Sequence, residues 1–199
     1  MTKLTALMAG FGLVALVGGT ALYTVMANAQ ECDASSAIGA TIGGPFELVN
    51  AQGETVTDAE VLNRPSLVYF GYTFCPDVCP FDMARNALAV DLLEEQGEDV
   101  GLVFVSIDPE RDTPEVLGQY VDDMHPKMTA LSGSAEQVKA AASAYRVYYA
   151  KGEGDGEFYL MDHSTFTYLM LPGNELAAFF RREETAEGMA EKSACLINR

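Results

Sequence analysis

Six residues, Leu67-Val68-Tyr69-Phe70-Gly71-Tyr72, run without a charged break and lead through Thr73-Phe74 into Cys75-Pro76-Asp77-Val78-Cys79-Pro80. An apolar run that does not alternate belongs to a strand covered on both faces, which confines the chain to a sheet with helices on either side. The cysteines then fall at the turn leaving that strand. Prolines on both sides and Asp77 between them describe a turn, and turns lie at the surface where chemistry reaches them. Beyond Cys79, Phe81, Ala84, Leu88 and Leu92 recur at helical spacing up to Gly97, which is placed to end the helix. Amides at the start of that helix favour thiolate on the nearest sulfur. Three residues separate the two cysteines; if the turn is helical, their sulfurs face the same side.

The rest of the chain completes a sheet. Pro45–Val49 and Glu54–Thr57, joined through Asn50-Ala51-Gln52-Gly53, read as a small hairpin. Gly101–Ile107 is a second nearly continuous apolar strand. Thr113-Pro114-Glu115 opens a helix with a hydroxyl cap, a proline at the first position and an acid in the first turn; its apolar face is Val116, Leu117, Tyr120, Val121 and Met124. Met128–Leu131 is a short third strand, and Ser134 with Gln137 forms a capping box for a helix facing inward through Val138, Ala141, Ala142 and Tyr145. Val147–Tyr149 and Phe158–Leu160 flank the acidic turn Gly152–Gly156. Thr165–Leu171 and Leu176–Phe180 form a hairpin across Pro172-Gly173-Asn174, and Thr185–Ala194 closes as a helix. Strand, helix, strand, helix, strand, helix, hairpin, helix, with cysteines at the first strand-to-helix turn, is the thioredoxin-like arrangement: an α/β fold with a mixed central sheet flanked by helices.

With 12 Lys and Arg against 29 Asp and Glu, the chain is strongly acidic, and nucleic acid is excluded as a partner because phosphate binding needs a basic face. Residues 1–29 carry one charge, Lys3, and are otherwise rich in Leu, Val, Ala and Gly. The length of the apolar stretch favours a transmembrane anchor, whereas the ending Ala27-Asn28-Ala29 favours a cleaved signal sequence. Lys3 keeps the N-terminal end in the cytoplasm, so either reading exports the domain, to the periplasm or an equivalent compartment. Residues 30–42 read as a linker and 43–199 as the domain. In an oxidising compartment Cys32 and Cys195 are placed to bridge, closing nearly the whole domain.

His163, in Met161-Asp162-His163-Ser164, heads the later hairpin, which in this fold passes beside the cysteine turn. Asp162 is placed to orient its imidazole. The other histidine, His125, precedes Pro126 at a helix end and reads as structural or exposed; Met161 and Met170 read as core. Two thiolates and one imidazole suit Cu(I), and Cu(II) with an added oxygen, while a structural zinc normally takes four ligands. Cys75 and Cys79 alone would also serve as a redox-active dithiol. No haem motif, phosphate loop or nucleophile elbow is present.

Three blocks together resemble the Sco/SenC family of copper-binding assembly proteins for cytochrome c oxidase: Gly71–Pro80, Ser106–Pro114 and Asp162–Leu169. The likeness runs from about Gly44 to the C-terminus. It implies that Cys75, Cys79 and His163 bind copper, that Asp77 and Asp162 tune the site, and that Asp108–Pro114 is a structural loop and helix cap. The function it implies is a membrane-tethered copper chaperone, a metallochaperone rather than an enzyme, whose partner is the copper-bearing subunit of the oxidase; the copper donor stays open. A thiol-disulfide reductase acting on the oxidase cysteines, or a copper or redox sensor, would use the same atoms. The outer pair Cys32 and Cys195 departs from the family pattern.

Overall fold

The computed structural model describes residues 42–155 and 158–198. A hairpin of β1 (Glu47–Asn50) and β2 (Thr55–Thr57) comes first, with the Asn50 side chain accepting from the amides of Gln52 and Glu54 across its turn. A one-turn helix α1 (Asp58–Val61) leads to β3 (Ser66–Gly71), α2 (Val78–Glu95), β4 (Gly101–Ser106), α3 (Pro114–Met124), β5 (Met128–Ser132) and α4 (Ala135–Ala144). An outer hairpin of β6 (Tyr149–Asp155) and β7 (Phe158–His163) forms its own two-stranded sheet. The hairpin of β8 (Thr167–Leu171) and β9 (Glu175–Phe180) and the helix α5 (Ala186–Ile197) complete the fold.

The main sheet has the order β2-β1-β5-β4-β3-β8-β9. Strands β3, β4 and β5 are mutually parallel, and the outer pairs are antiparallel. Every residue of β3 and β4 is buried, as their unbroken apolar runs require. The mixed sheet flanked by helices is the thioredoxin-like architecture expected, with the small hairpin in front of it. Residues 1–41, which contain the expected anchor or signal sequence, nearly all of the linker and Cys32, lie outside the described residues. Among the described residues no helix is long and apolar enough to cross a membrane.

Local signals set the helix ends where the chain indicates them. Thr113 Oγ1 accepts from the Val116 amide at the start of α3, and Ser134 and Gln137 close a reciprocal capping box on α4. Helix α2 stops at Gly97, whose φ of 87° suits glycine; the Gly97 and Glu98 amides return to the carbonyls of Glu94 and Leu93 in a Schellman motif. Only Leu117 of the expected α3 face is fully buried. The α4 face is buried as expected, Tyr145 included.

The apolar residues whose spacing marks α2 are not the ones that face inward. Phe81 is 69% exposed and Leu88 47%, while Cys79, Asp82, Met83, Asn86, Val90 and Leu93 lie on the buried side. Apolar residues are distributed all round this helix, so spacing alone does not choose a face. Asp82 and Asn86 are drawn inward because partners wait there: Tyr69 Oη donates to Asp82, and Thr167 Oγ1 and Arg85 donate to Asn86. Met83→Ala is therefore expected to cost about 2–5 kcal/mol in urea unfolding, and Leu88→Ser no more than about 0.5 kcal/mol; equal losses would contradict this orientation.

Candidate metal centre

The cysteine turn hangs from the end of the central strand. Gly71 closes β3, and a Cβ built there would lie 2.9 Å from the Tyr69 ring and 3.0 Å from Cys79 Sγ. The absence of a side chain is what lets the sulfur rest against the strand. Helix α2 starts at Val78, so Cys79 lies in its first turn and Cys75 before it. The Asp77 side chain makes no capping bond at the N-cap position. Instead Cys75 Sγ accepts from the Cys79 amide at 3.4 Å, a sulfur occupying the role of a capping oxygen. The two sulfurs meet through this turn, not through an i,i+4 helical repeat.

His163 ends β7, the strand before the expected hairpin, and its Nε2 stands 3.4 Å from Cys79 Sγ. Its Nδ1 lies 2.9 Å from the Ser164 carbonyl. A carbonyl only accepts, so Nδ1 carries a proton, and Nε2 is the ring nitrogen turned to the sulfurs. Tyr69 and Tyr72 stand edge-on to the imidazole, with centroids 6.2 and 5.9 Å away. Asp162 is exposed, and the orienting role expected of it belongs to the Ser164 carbonyl. Asp77 is also exposed; its backbone amide, not its carboxylate, reaches Cys75.

Ligand atoms of Cys75, Cys79 and His163 all lie within 4.8 Å of one another, the one such cluster of three among the described residues. Cys75 is 9% exposed and Cys79 fully buried, so the site opens on the Cys75 side. The Cys75 thiol is held well below its ordinary pKa by a hydrogen bond from Cys79, then by His163 and the amides of Cys79 and Asp77, against the opposing effect of burial. Cys79 is pushed up by its bond to Cys75 and by burial. The pair is thus pushed in opposite directions, Cys75 toward thiolate and Cys79 toward thiol.

The loop after β4, expected to be structural, also builds this site. Asp112 is buried and accepts from the Thr73 amide, from Thr73 Oγ1 at 2.6 Å and from Ser106 Oγ at 2.5 Å, which pins the chain two residues before Cys75. Burial raises its pKa. Arg111 pairs with Asp108, donates to the Tyr159 carbonyl, and lies 3.6 Å over the Tyr159 ring and 4.9 Å over that of Phe74. It thereby ties β7, the strand carrying His163, to the cysteine turn. Loop position and charge in Asp108–Asp112 were the available signals, but both also fit a plain helix cap.

The remaining candidates stay outside. His125 pairs with Asp91 and accepts from the Lys127 amide, a structural histidine as expected. Met170 is core. Cys195 is disulfide-bonded, and Cys32, the partner expected for it, lies outside the described residues.

Fold and donors together define a thioredoxin-like protein whose dithiol faces an imidazole and has the ligand set of a soft-metal site. The SCO1/SenC family profile matches residues 34–198, and the chain belongs to that family. It is 46% identical to Protein SenC of Rhodobacter capsulatus over 202 residues, 99% of this chain and 91% of that one. The crystal structure of Arabidopsis thaliana ScoI with copper bound is similar at 40% identity and a TM-score of 0.76, covering 79% of this chain and 98% of that one. Yeast Sco1 with copper bound gives 34% identity and a TM-score of 0.72, covering 78% and 87%.

An ordinary thiol loses about tenfold in alkylation rate for each pH unit below its pKa. Because the Cys75 shift is downward, its thiolate persists as pH falls through neutrality and disappears only near the lowered value. Iodoacetamide is expected to modify Cys75 of the reduced, metal-free protein at a nearly constant rate between about pH 7 and pH 5, with Cys79 far slower. Mass mapping of the labelled cysteines checks this, and a tenfold fall per unit at Cys75 would contradict it.

Proposed function

We propose that the chain is a copper chaperone, holding one copper ion as cargo through Cys75 Sγ, Cys79 Sγ and His163 Nε2 and passing it to the copper-bearing subunit of cytochrome c oxidase. The observation that carries this is the convergence of three soft donors, with His163 Nε2 turned to the sulfurs. Two sulfurs and one nitrogen match the preference of Cu(I), and leave room for an oxygen donor when Cu(II) is held. The copper-bound relatives share the fold at 34–40% identity, which supports the same ligation here.

The site is built for delivery by ligand exchange. Cys79 is sealed beneath the turn, while Cys75 borders solvent and has low proton affinity. An incoming thiolate therefore meets Cys75 first, and Cys79 and His163 hold the cargo until a second acceptor ligand arrives. Residues 1–29 tether or export the domain so that it works on the periplasmic side.

The same opposed pair of thiols favours a second reading, a reductase that keeps the oxidase cysteines reduced, with Cys75 as attacking sulfur and Cys79 as resolving thiol. A sensor would differ only in partner. Copper titration and X-ray absorption on the reduced exported domain separate these readings. Wild type is expected to bind one copper with sulfur and nitrogen ligation. His163→Ala should weaken binding by more than the roughly 10–100-fold typical of losing an outer partner of a metal ligand. Equal copper affinity in both proteins would overturn the three-ligand site and leave dithiol exchange.

A further inference from the structure

The buried face of α2 carries a carboxylate that the proposed copper site does not use. Asp82 lies three residues after Cys79 and is almost fully buried. Its Oδ1 is 3.4 Å from Arg182 Nε and 3.8 Å from Arg85 Nη1. Its Oδ2 accepts from Tyr69 Oη at 3.0 Å. Tyr69 is fully buried in β3, and the same hydroxyl oxygen is 4.0 Å from Cys79 Sγ. One phenol therefore borders both an acceptor fixed by two arginines and a metal-ligand sulfur.

A phenol has one proton to donate. In the metal-free protein Asp82, at the shorter distance, is the stronger of its two acceptors, and Cys79 Sγ lies at the edge of hydrogen-bond reach. A sulfur that holds a metal ion does so as thiolate and accepts hydrogen bonds. The backbone amide of Tyr72 already reaches Cys79 Sγ, and the Tyr69 hydroxyl is the side-chain O–H beside it. Turning that O–H about the ring C–O bond moves the proton from Asp82 toward the sulfur with no motion of the ring. Asp82 stays compensated through Oδ1 by Arg182 and Arg85. The ring itself is locked, because the space above Gly71 is filled by Tyr69, Cys79 and Phe104.

We propose that Tyr69 is a positioning residue of the metal centre: a hydrogen-bond donor that rests on Asp82 and divides its O–H between Asp82 and Cys79 Sγ when the sulfur holds copper. It draws electron density from the sulfur and so favours the lower oxidation state of the cargo. This rests on the copper reading of the site and adds a residue outside the ligand set.

The test is Tyr69→Phe, which keeps the ring and removes only the O–H. Loaded with Cu(II), the variant is expected to bind one copper, as wild type does. Its sulfur-to-copper charge-transfer band should move to lower energy and its copper midpoint potential should fall. Cu(I) affinity measured by chelator competition should drop about tenfold, the scale of losing an outer partner of a metal ligand. Asp82→Asn supplies the second arm: a weaker acceptor releases the O–H toward Cys79, so the band and potential should move the opposite way. A merely structural role would alter stability and leave both spectroscopic readouts in place. If Tyr69→Phe binds copper with band, potential and affinity equal to wild type, the proposal is overturned while the copper site stands. If Tyr69→Phe does not fold, an Asp82→Asn protein with unshifted band and potential overturns it equally. Failure of wild type to bind copper would instead remove the functional reading beneath it.

Discussion

No side chain fits at Gly71, and the site depends on that fact. The central strand ends there with Tyr69, Cys79 and Phe104 crowding the space a Cβ would take. Its carbonyl accepts from the Ile107 amide at 2.8 Å, which joins the ends of β3 and β4. Sulfur thus packs directly on the backbone of a strand buried on both faces, and the turn that presents it inherits the rigidity of the sheet. Without this contact Cys79 would stand away from the strand, and its position against His163 would be left to a loop.

From that anchor the donors are arranged by hydrogen bonds of unequal character. Cys75 is steered by a helix-start amide, His163 by a carbonyl that accepts from its Nδ1, and Cys79 by packing. Shared hydrogen bonding pushes the two thiols in opposite directions, Cys75 down and Cys79 up, while burial raises both. Asp112 and Arg111 hold the two chain segments that carry these groups at a common place.

Much of the fold was legible. The unbroken runs Leu67–Tyr72 and Gly101–Ile107, the caps at Thr113 and Ser134, and the stop at Gly97 each act over a few residues, and each appears in the structure where local chemistry places it. The inward face of α2 was not legible. Hydrophobic spacing selects Phe81 and Leu88, but the polar pair Asp82 and Asn86 goes inside because Tyr69, Thr167 and Arg85 supply partners from distant segments. Likewise Asp162 is the sequence neighbour that looks suited to orient His163, yet strand alternation turns it outward and the backbone of Ser164 does the work.

By itself the sequence determined that a doubly covered sheet carries two thiols at a strand-to-helix turn, and that His163 is the one downstream histidine able to join them. Residue type and spacing suffice for that, since strand burial, helix capping and donor softness are local properties. Only the tertiary structure decided which nitrogen of His163 faces the sulfurs, which sulfur is sealed, and that Tyr69 stands between Cys79 and Asp82. Those depend on distances between residues far apart in the chain, set when β3, α2 and β7 pack together, and no local pattern encodes them.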